Sequence, residues 1–161
     1  MKDSNASKAA FSGMIAALYV VLTMAANALG LASGVIQVRF SEALTILPVF
    51  TPAAVAGLTV GCVLANLITG CALWDVVFGS LATLIGAIGT RLLRRKPLLA
   101  WIPPVISNMA IIPIVLMKVY GAEDAWWYLV LTVGAGEVIS CGILGLLLYH
   151  AAKRIPQLNA D

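Results

Sequence analysis

Long apolar runs separated by short polar breaks extend through the whole chain. A transmembrane helix needs about 20 mostly apolar residues, and most of these runs reach that length. The run over residues 41–71 is longer and contains Pro48 and Pro52, which disfavour helix around them, so a break near residues 50–52 divides it into a short and a full helix. The pattern predicts six helices, at roughly 8–28, 41–50, 52–71, 76–93, 98–117 and 125–151.

The composition indicates that these helices lie in a lipid bilayer. Of the 161 residues, 61% are hydrophobic and 11% are charged, and the mean hydropathy is +1.01. Soluble domains average about 25% charged residues. We therefore predict an all-α integral membrane protein in which residues 1–161 form a single membrane domain.

The distribution of basic residues predicts the orientation of the chain. Lys and Arg prefer the cytoplasmic side of a membrane. Six spans leave only Arg39 and Lys118 of the ten basic residues outside the cell, whereas five spans would separate the RLLRRK segment from the basic N-terminus. The prediction is a six-transmembrane-helix bundle with a short second helix and with both the N- and the C-terminus in the cytoplasm.

Glu137 is the acidic residue that is predicted to lie deep in the bilayer. It stands about 12 residues into the last predicted span, or roughly 18 Å along the helix axis at 1.5 Å per residue. A charged group at that depth costs about 2.5–3.5 kcal/mol on insertion scales. Glu137 either contacts a ligand or a proton inside the bundle, which is the default interpretation of such a residue, or is satisfied by a neighbouring helix.

Four further residues are candidates for the same site. Asn108, near the middle of the fifth predicted span, can donate and accept hydrogen bonds, either to a ligand or to another helix. The same alternatives apply to Asn66. Asp75 either faces a ligand or caps the fourth helix, and Trp74 either offers an aromatic surface or anchors the chain at the membrane interface.

Arg39 and Glu42 lie at the start of the short second helix, in the sequence QVRFSEALTILP. One interpretation is that Glu42 faces a cavity open to the outside and binds a cationic or amide-like donor, while Arg39 orients it. The other is that Arg39 pairs with Glu42 to start the helix, for which the intervening Ser41 is a typical residue.

Small residues recur every four positions on the first helix, at Ala9, Gly13 and Ala17. Such a stripe allows a second helix to approach closely. That second helix belongs either to this chain or to a partner subunit, and the pattern by itself favours packing within the chain.

Other function classes lack their motifs. The sequence contains no glycine–lysine phosphate-binding loop, so the chain cannot drive transport with ATP alone. The three cysteines have no metal-type spacing and are predicted to be packing residues. We therefore expect no metal site, no cofactor and no catalytic residues, and the basic residues between apolar spans give no indication of nucleic-acid binding.

Two stretches of the chain, QVRFSEALTILPVFTPAAVAGLTVGCVLANLITG and WDVVFGSLATLIGA, resemble the QueT-type queuosine-precursor transporters. The resemblance extends from AALYVVLT in the first helix to GEVISCGILG in the last. Its most specific part is the pattern R-x-S-E-A-L-x-x-L-P, which occupies residues 39–48.

This family comprises substrate-binding S-components of energy-coupling-factor (ECF) transporters. The resemblance implies an S-component-like fold and a multi-pass protein of the cell membrane. Such a subunit would capture a 7-deazaguanine, with 7-aminomethyl-7-deazaguanine as the expected compound, from outside. It would dock to a transmembrane coupling subunit driven by two cytoplasmic ATPases and topple to release the substrate inward. A small-residue motif on the first helix serves that docking in the family, which favours a docking role for Ala9, Gly13 and Ala17.

The implied ligand suits the acidic residues of the chain. A guanine edge presents two adjacent donors that a carboxylate can accept, and an aminomethyl arm is a cation. Glu137 and Glu42 are the expected acids, in either order. The full expected substrate-binding set is Glu137, Glu42, Asn108, Asp75, Trp74, Arg39 and Asn66. Two alternatives remain open: an S-component for a different vitamin or small nitrogenous ligand, and a non-transporting membrane assembly protein whose polar residues only join helices.

Overall fold

The computed structural model describes residues 5–32 and 36–155. Within these residues the chain is helical and forms no strand, which confirms the all-helical prediction. Five helices pack together with one extended 3-10 helix and a single 3-10 turn at Pro97–Leu99. They are α1 (Asn5–Ala28), the 3-10 helix (Phe40–Val49), α2 (Ala53–Ile68), α3 (Leu73–Leu92), α4 (Ile102–Lys118) and α5 (Trp126–Ala152).

Within residues 5–32 and 36–155, four segments are long and apolar enough to cross a membrane. They are Asn5–Ala28, Leu73–Leu92, Pro97–Lys118 and Trp126–Ala152. The 3-10 helix and α2 are apolar but shorter. The structure is therefore a membrane-type helical bundle, while the count of six spans stays a prediction. The two chain ends, which the sequence places in the cytoplasm, lie outside the described residues.

The short second helix differs in kind from the predicted α-helix over residues 41–50. It forms a 3-10 helix over Phe40–Val49 and contains Pro48. Pro48 has no amide hydrogen and so cannot donate an α-helical hydrogen bond. Earlier in the helix, Thr45 Oγ1 donates a hydrogen bond to the carbonyl oxygen of Glu42, at 2.6 Å. A 3-10 helix rises about 2.0 Å per residue, so ten residues extend roughly 20 Å. Most of its residues are buried, so this segment is a central element of the bundle.

Helices α1 and α2 approach each other closely through glycine. A Cβ atom added at Gly61 would lie 2.7 Å from the Cβ of Tyr19 and 3.0 Å from the Cα of Ala16. The internal contact of α1 therefore uses the face that carries Ala16 and Tyr19. Ala9, Gly13 and Ala17 form a separate, exposed stripe on α1, and a Cβ added at Gly13 would meet nothing within 4 Å.

Helix α5 changes its winding in the middle of the bundle. Residues Val138–Leu144 form a π-helical segment directly after Glu137. Such segments are frequent at functional sites. Here the segment turns Ser140 and Cys141 toward the 3-10 helix, where Ser140 Oγ accepts a hydrogen bond from the Arg39 amide at 3.1 Å.

Candidate functional site

Two adjoining cavities open at one end of the bundle, called here the cavity end, where α1, α2 and α4 end and α3 and α5 begin. Their volumes are about 290 and 300 Å³, near the lower limit for pockets that hold small molecules. The two cavities share one wall, which is formed by Gln37, Arg39, Ile112 and Leu116. The two cavities are therefore neighbouring compartments of one cleft.

The first cavity reaches down to Glu137. Its walls come mainly from α4, α5 and the segment before the 3-10 helix, and they include the aromatic ring of Tyr128 and the carboxylate of Asp124. Asn108, which is buried on α4, contacts the Glu137 carboxyl through its side-chain amide. The structure thus brings together the predicted deep acid and the predicted amide.

Glu42 lies behind Glu137 in the buried floor of the cleft. One of its carboxyl oxygens, Oε1, accepts a hydrogen bond from the hydroxyl of Tyr19 on α1. The other oxygen, Oε2, is buried and has no hydrogen-bond partner among the residues that the structure describes. A buried carboxyl oxygen without a partner is costly, so a hydrogen-bond donor that reaches this atom would remove that cost.

Cys141 connects the two acids. Its Sγ lies 3.2 Å from Oε2 of Glu137, 3.5 Å from the backbone oxygen of Glu42 and 3.4 Å from the Thr45 hydroxyl. Cys141 is buried, in agreement with the prediction that the cysteines are packing residues, and its thiol also hydrogen-bonds within the floor. The π-helical winding of α5 accounts for this placement, since it lies just beyond Glu137.

The same three side chains also offer a set of potential metal ligands. One carboxylate oxygen from each of Glu42 and Glu137 and the Sγ of Cys141 lie within 4.8 Å of one another. The guanidinium of Arg39 interacts electrostatically with both carboxylates. Because the Arg39 guanidinium already faces the two carboxylates, the site suits a ligand with hydrogen-bond donors better than a divalent metal ion.

Arg39 stands between the two compartments and lines both of them. Its backbone is fixed to Ser140 of α5, and in the described part of the chain no ion pair joins its guanidinium to Glu42. The guanidinium nevertheless interacts electrostatically with Glu42, and Arg39 is the N-cap residue of the 3-10 helix, so both interpretations of Arg39 stay predictions. Ser41 does not cap the helix, because it lies inside it and its hydroxyl accepts a hydrogen bond from Thr23 at 2.9 Å.

Gly136 allows the segment that carries Gln37 and Arg39 to pack closely against α5. A Cβ atom added at Gly136 would overlap the carbonyl oxygen of Gln37 and lie 3.1 Å from its carbonyl carbon. Only a residue without a side chain allows the backbone of this segment to lie against α5 at that point. Gly136 therefore fixes the wall shared by the two compartments.

The second compartment contains Asn66 and Asp75. Tyr120, in the connection between α4 and α5, donates a hydrogen bond to Oδ2 of Asp75 at 2.9 Å and accepts one from the Ala72 amide at 3.1 Å. Partial burial raises the pKa of Tyr120 to about 12, with a smaller contribution from Asp75, so the phenol stays protonated. Asp75 lies in the first turn of α3 and makes no cap, since Ala72 occupies the N-cap position; the capping interpretation is wrong.

Trp74 lies outside both compartments. Its ring is 61% exposed and stacks on Phe78 at a centroid distance of 5.9 Å. The aromatic rings that do line the cleft are Tyr120 and Tyr128. The structure therefore gathers six of the seven expected residues, either in the cleft walls or directly behind them, and leaves Trp74 apart.

The other members of the site are not evident from the sequence pattern. Tyr19 and Cys141 occur within apolar runs, where their types are typical of packing residues. Gln37 and Tyr120 lie in connecting segments, and only the packing of those segments brings them to the cleft. The hydrogen bond from the Tyr19 hydroxyl to the buried Glu42 carboxyl joins two segments that are far apart in the sequence, so no local pattern indicates it.

Comparison with known proteins identifies the family. The sequence profile of the QueT transporter family matches residues 9–154. Over 86 residues, 53% of this chain, the sequence is 35% identical to the "Queuosine precursor transporter QueT" of Lactococcus lactis subsp. cremoris (strain MG1363), and the match spans about half (50%) of that relative's length. No solved structure matches the chain. Because the profile covers most of the chain and the helices are membrane-type, this multi-pass membrane protein belongs to the QueT transporter family.

Proposed function

We propose that this chain is the substrate-binding subunit of an ECF-type importer for a queuosine precursor. The proposed substrate is a 7-deazaguanine, and specifically 7-aminomethyl-7-deazaguanine. The name of the Lactococcus lactis relative supports the class of substrate. The observation that carries the proposal is the pair of carboxyls in the floor of the cleft: Glu137 lines the first compartment, and one buried oxygen of Glu42 has no hydrogen-bond partner among the described residues.

The chemistry of the floor matches the two ends of the proposed ligand. A 7-deazaguanine presents a ring N–H and an exocyclic amine on one edge, and a carboxylate accepts both. The aminomethyl arm is a cation that pairs with the second carboxylate. In the proposal Asn108, which lies beside Glu137, donates to the ring carbonyl, and Tyr128 in the cavity wall provides a stacking surface; base–aromatic stacking contributes about 1–3 kcal/mol per base.

The proposal includes a topology and a partner. Six helices cross the cell membrane, the 3-10 helix among them, with both termini in the cytoplasm and the cavity end outside. Basic residues at the opposite end of the bundle, such as Arg91 and Lys153, support this orientation through the preference of cations for the cytoplasmic side. A transmembrane coupling subunit with two ATPases docks on the exposed α1 stripe of Ala9, Gly13 and Ala17, which internal packing leaves unused.

The decisive experiment measures ligand binding to the purified chain by calorimetry. The panel contains 7-aminomethyl-7-deazaguanine, unsubstituted 7-deazaguanine, guanine and several vitamins. We expect the aminomethyl compound to bind most tightly and the Glu137→Gln variant to bind it at least tenfold more weakly, or about 1.4 kcal/mol. Glu123→Gln is the matched control, because Glu123 is an exposed acid that lines neither compartment.

The same panel assigns the two acids and tests the substrate. Of the variants Glu42→Gln and Glu137→Gln, the one that no longer prefers the aminomethyl compound over unsubstituted 7-deazaguanine holds the arm. Tight binding of a different vitamin with no binding of any deazaguanine would refute the substrate. Absence of binding to every compound would favour the assembly-protein alternative.

A further inference from the structure

We propose that Arg91 is a positioning residue for the binding site: it holds one end of the 3-10 helix and thereby sets the position of Glu42 near the other end. The inference rests on the proposed function for its ligand and on the packing of the bundle for its geometry. Arg91 lies in the last turn of α3, at the end of the bundle opposite to the cleft. It lines neither compartment of the cleft, and in the sequence it is one of the basic residues of the RLLRRK segment.

The guanidinium of Arg91 contacts the end of the 3-10 helix directly. Its Nη1 donates to the carbonyl oxygen of Pro48 at 3.1 Å and to that of Val49 at 3.3 Å. These carbonyls belong to the last residues of the helix. The terminal carbonyls of any helix lack partners within it, and their partial negative charge attracts a cation. Arg91 therefore supplies both the hydrogen bonds and the charge that this end requires.

A 3-10 helix of this length needs such support. Runs longer than three or four residues are uncommon because their hydrogen bonds are poorly aligned, whereas this one has ten residues. Pro48 also removes one amide donor near its end. A buried and intrinsically weak helix keeps its length and position only if contacts along its sides and at its ends fix it.

Among the described residues, the other side-chain hydrogen bonds that join this helix to neighbouring helices lie closer to the cleft. Thr23 binds Ser41, Tyr19 binds Glu42, and the Thr45 hydroxyl reaches Cys141. Arg91 alone among the described contacts ties the far end by hydrogen bonds from a side chain. Glu42 and Pro48 are six residues apart, or about 12 Å along a 3-10 helix. A displacement of the far end along the axis is therefore passed to Glu42 through a buried, tightly packed segment.

The experiment uses the full chain and two measurements. Hydrogen–deuterium exchange of residues 40–50 needs no ligand, and calorimetry measures the Kd of 7-aminomethyl-7-deazaguanine. We expect Arg91→Met to speed exchange in the 3-10 helix and to raise the Kd about fivefold, or about 1 kcal/mol, which is the net contribution of a typical hydrogen bond. Arg91→Lys, which keeps a cation near the carbonyls, should recover most of the affinity. Arg95→Met is the matched control, since Arg95 is exposed in the same basic segment, and should change neither quantity.

A double-mutant comparison separates positioning from general destabilisation. If Arg91 acts through Glu42, Arg91→Met should have little further effect on the Kd once Glu42→Gln is present. An equal loss of affinity in both backgrounds, or unchanged exchange in residues 40–50, would overturn the inference. If the wild-type chain binds no deazaguanine, the proposed function fails, and the exchange measurement still decides whether Arg91 holds the helix.

Discussion

The replacement of Gly136 by alanine tests how the shared wall of the cleft is held. A Cβ atom at this position would lie 3.1 Å from the carbonyl carbon of Gln37 and overlap its oxygen, whereas ordinary van der Waals contact begins at 3.4 Å. The obstacle is backbone, which cannot rotate away as a side-chain tip can. The segment that carries Gln37 and Arg39 must therefore move from α5 by a distance on the order of 1 Å, given the steepness of atomic overlap.

The energetic consequence follows from the cost of overpacking. An extra methyl group in a well-packed interior costs about 1–3 kcal/mol. In the Gly136→Ala variant, ligand binding must either restore the wall at the cost of that strain or occur with the wall displaced. Binding is therefore weaker in both cases. We expect the Kd for 7-aminomethyl-7-deazaguanine to rise about tenfold, equivalent to about 1.4 kcal/mol, as measured by calorimetry on the purified chain.

Gly134 provides a matched control on the same helix. A Cβ atom added there would meet only the side chain of Met109, at 2.9 Å from its Cε and Sδ atoms. Those atoms form the flexible end of a methionine, which adjusts easily. Gly134→Ala should therefore bind ligand like the wild type. Wild-type affinity in Gly136→Ala, or an equal loss in both variants, would refute the argument that Gly136 seats the wall.

Three further predictions test other contacts. Tyr19→Phe leaves both oxygens of the Glu42 carboxyl without a described partner and should lower the free energy of unfolding by about 1–3 kcal/mol, measured by chemical denaturation; an unchanged value would show that the hydrogen bond is not required. Gly61→Leu should separate α1 from α2 and lower the melting temperature, while Gly13→Leu, which meets open space, should not; equal effects would contradict the assignment of the two faces. Tyr120→Phe loses two hydrogen bonds in the second compartment and should speed ligand dissociation about threefold to tenfold, as followed by stopped-flow fluorescence; an unchanged rate would exclude a role in retaining ligand.

The two faces of α1 have different surroundings. The face with Ala16 and Tyr19 packs against α2, and Tyr19 also binds Glu42 in the floor of the site. The stripe of Ala9, Gly13 and Ala17 stays exposed. A variant on the stripe can therefore be used to test docking to a partner subunit without disturbing the internal contact of the helix.

The sequence by itself determined the class of the protein and most of its candidate residues. Apolar run length is enough to predict membrane helices, because the bilayer sets a single required length. The rarity of polar groups in such runs marked Glu137 and Asn108, since a polar side chain inside lipid needs a reason to be there. Glu42 was marked as an acid at the edge of an apolar run, although its burial was not evident.

The tertiary structure decided how those residues meet. Hydrophobicity alone does not separate a spanning α-helix from a buried 3-10 helix, so the winding of Phe40–Val49 and its support by Arg91 depended on packing. The roles of Tyr19 and Cys141 likewise depended on contacts between segments far apart in the chain. The physical reason is the same in each case. Membrane helices form because of local hydrophobicity, which the sequence shows directly. A binding site depends on which polar atoms remain unpaired after the helices have packed, and this depends on contacts between distant segments.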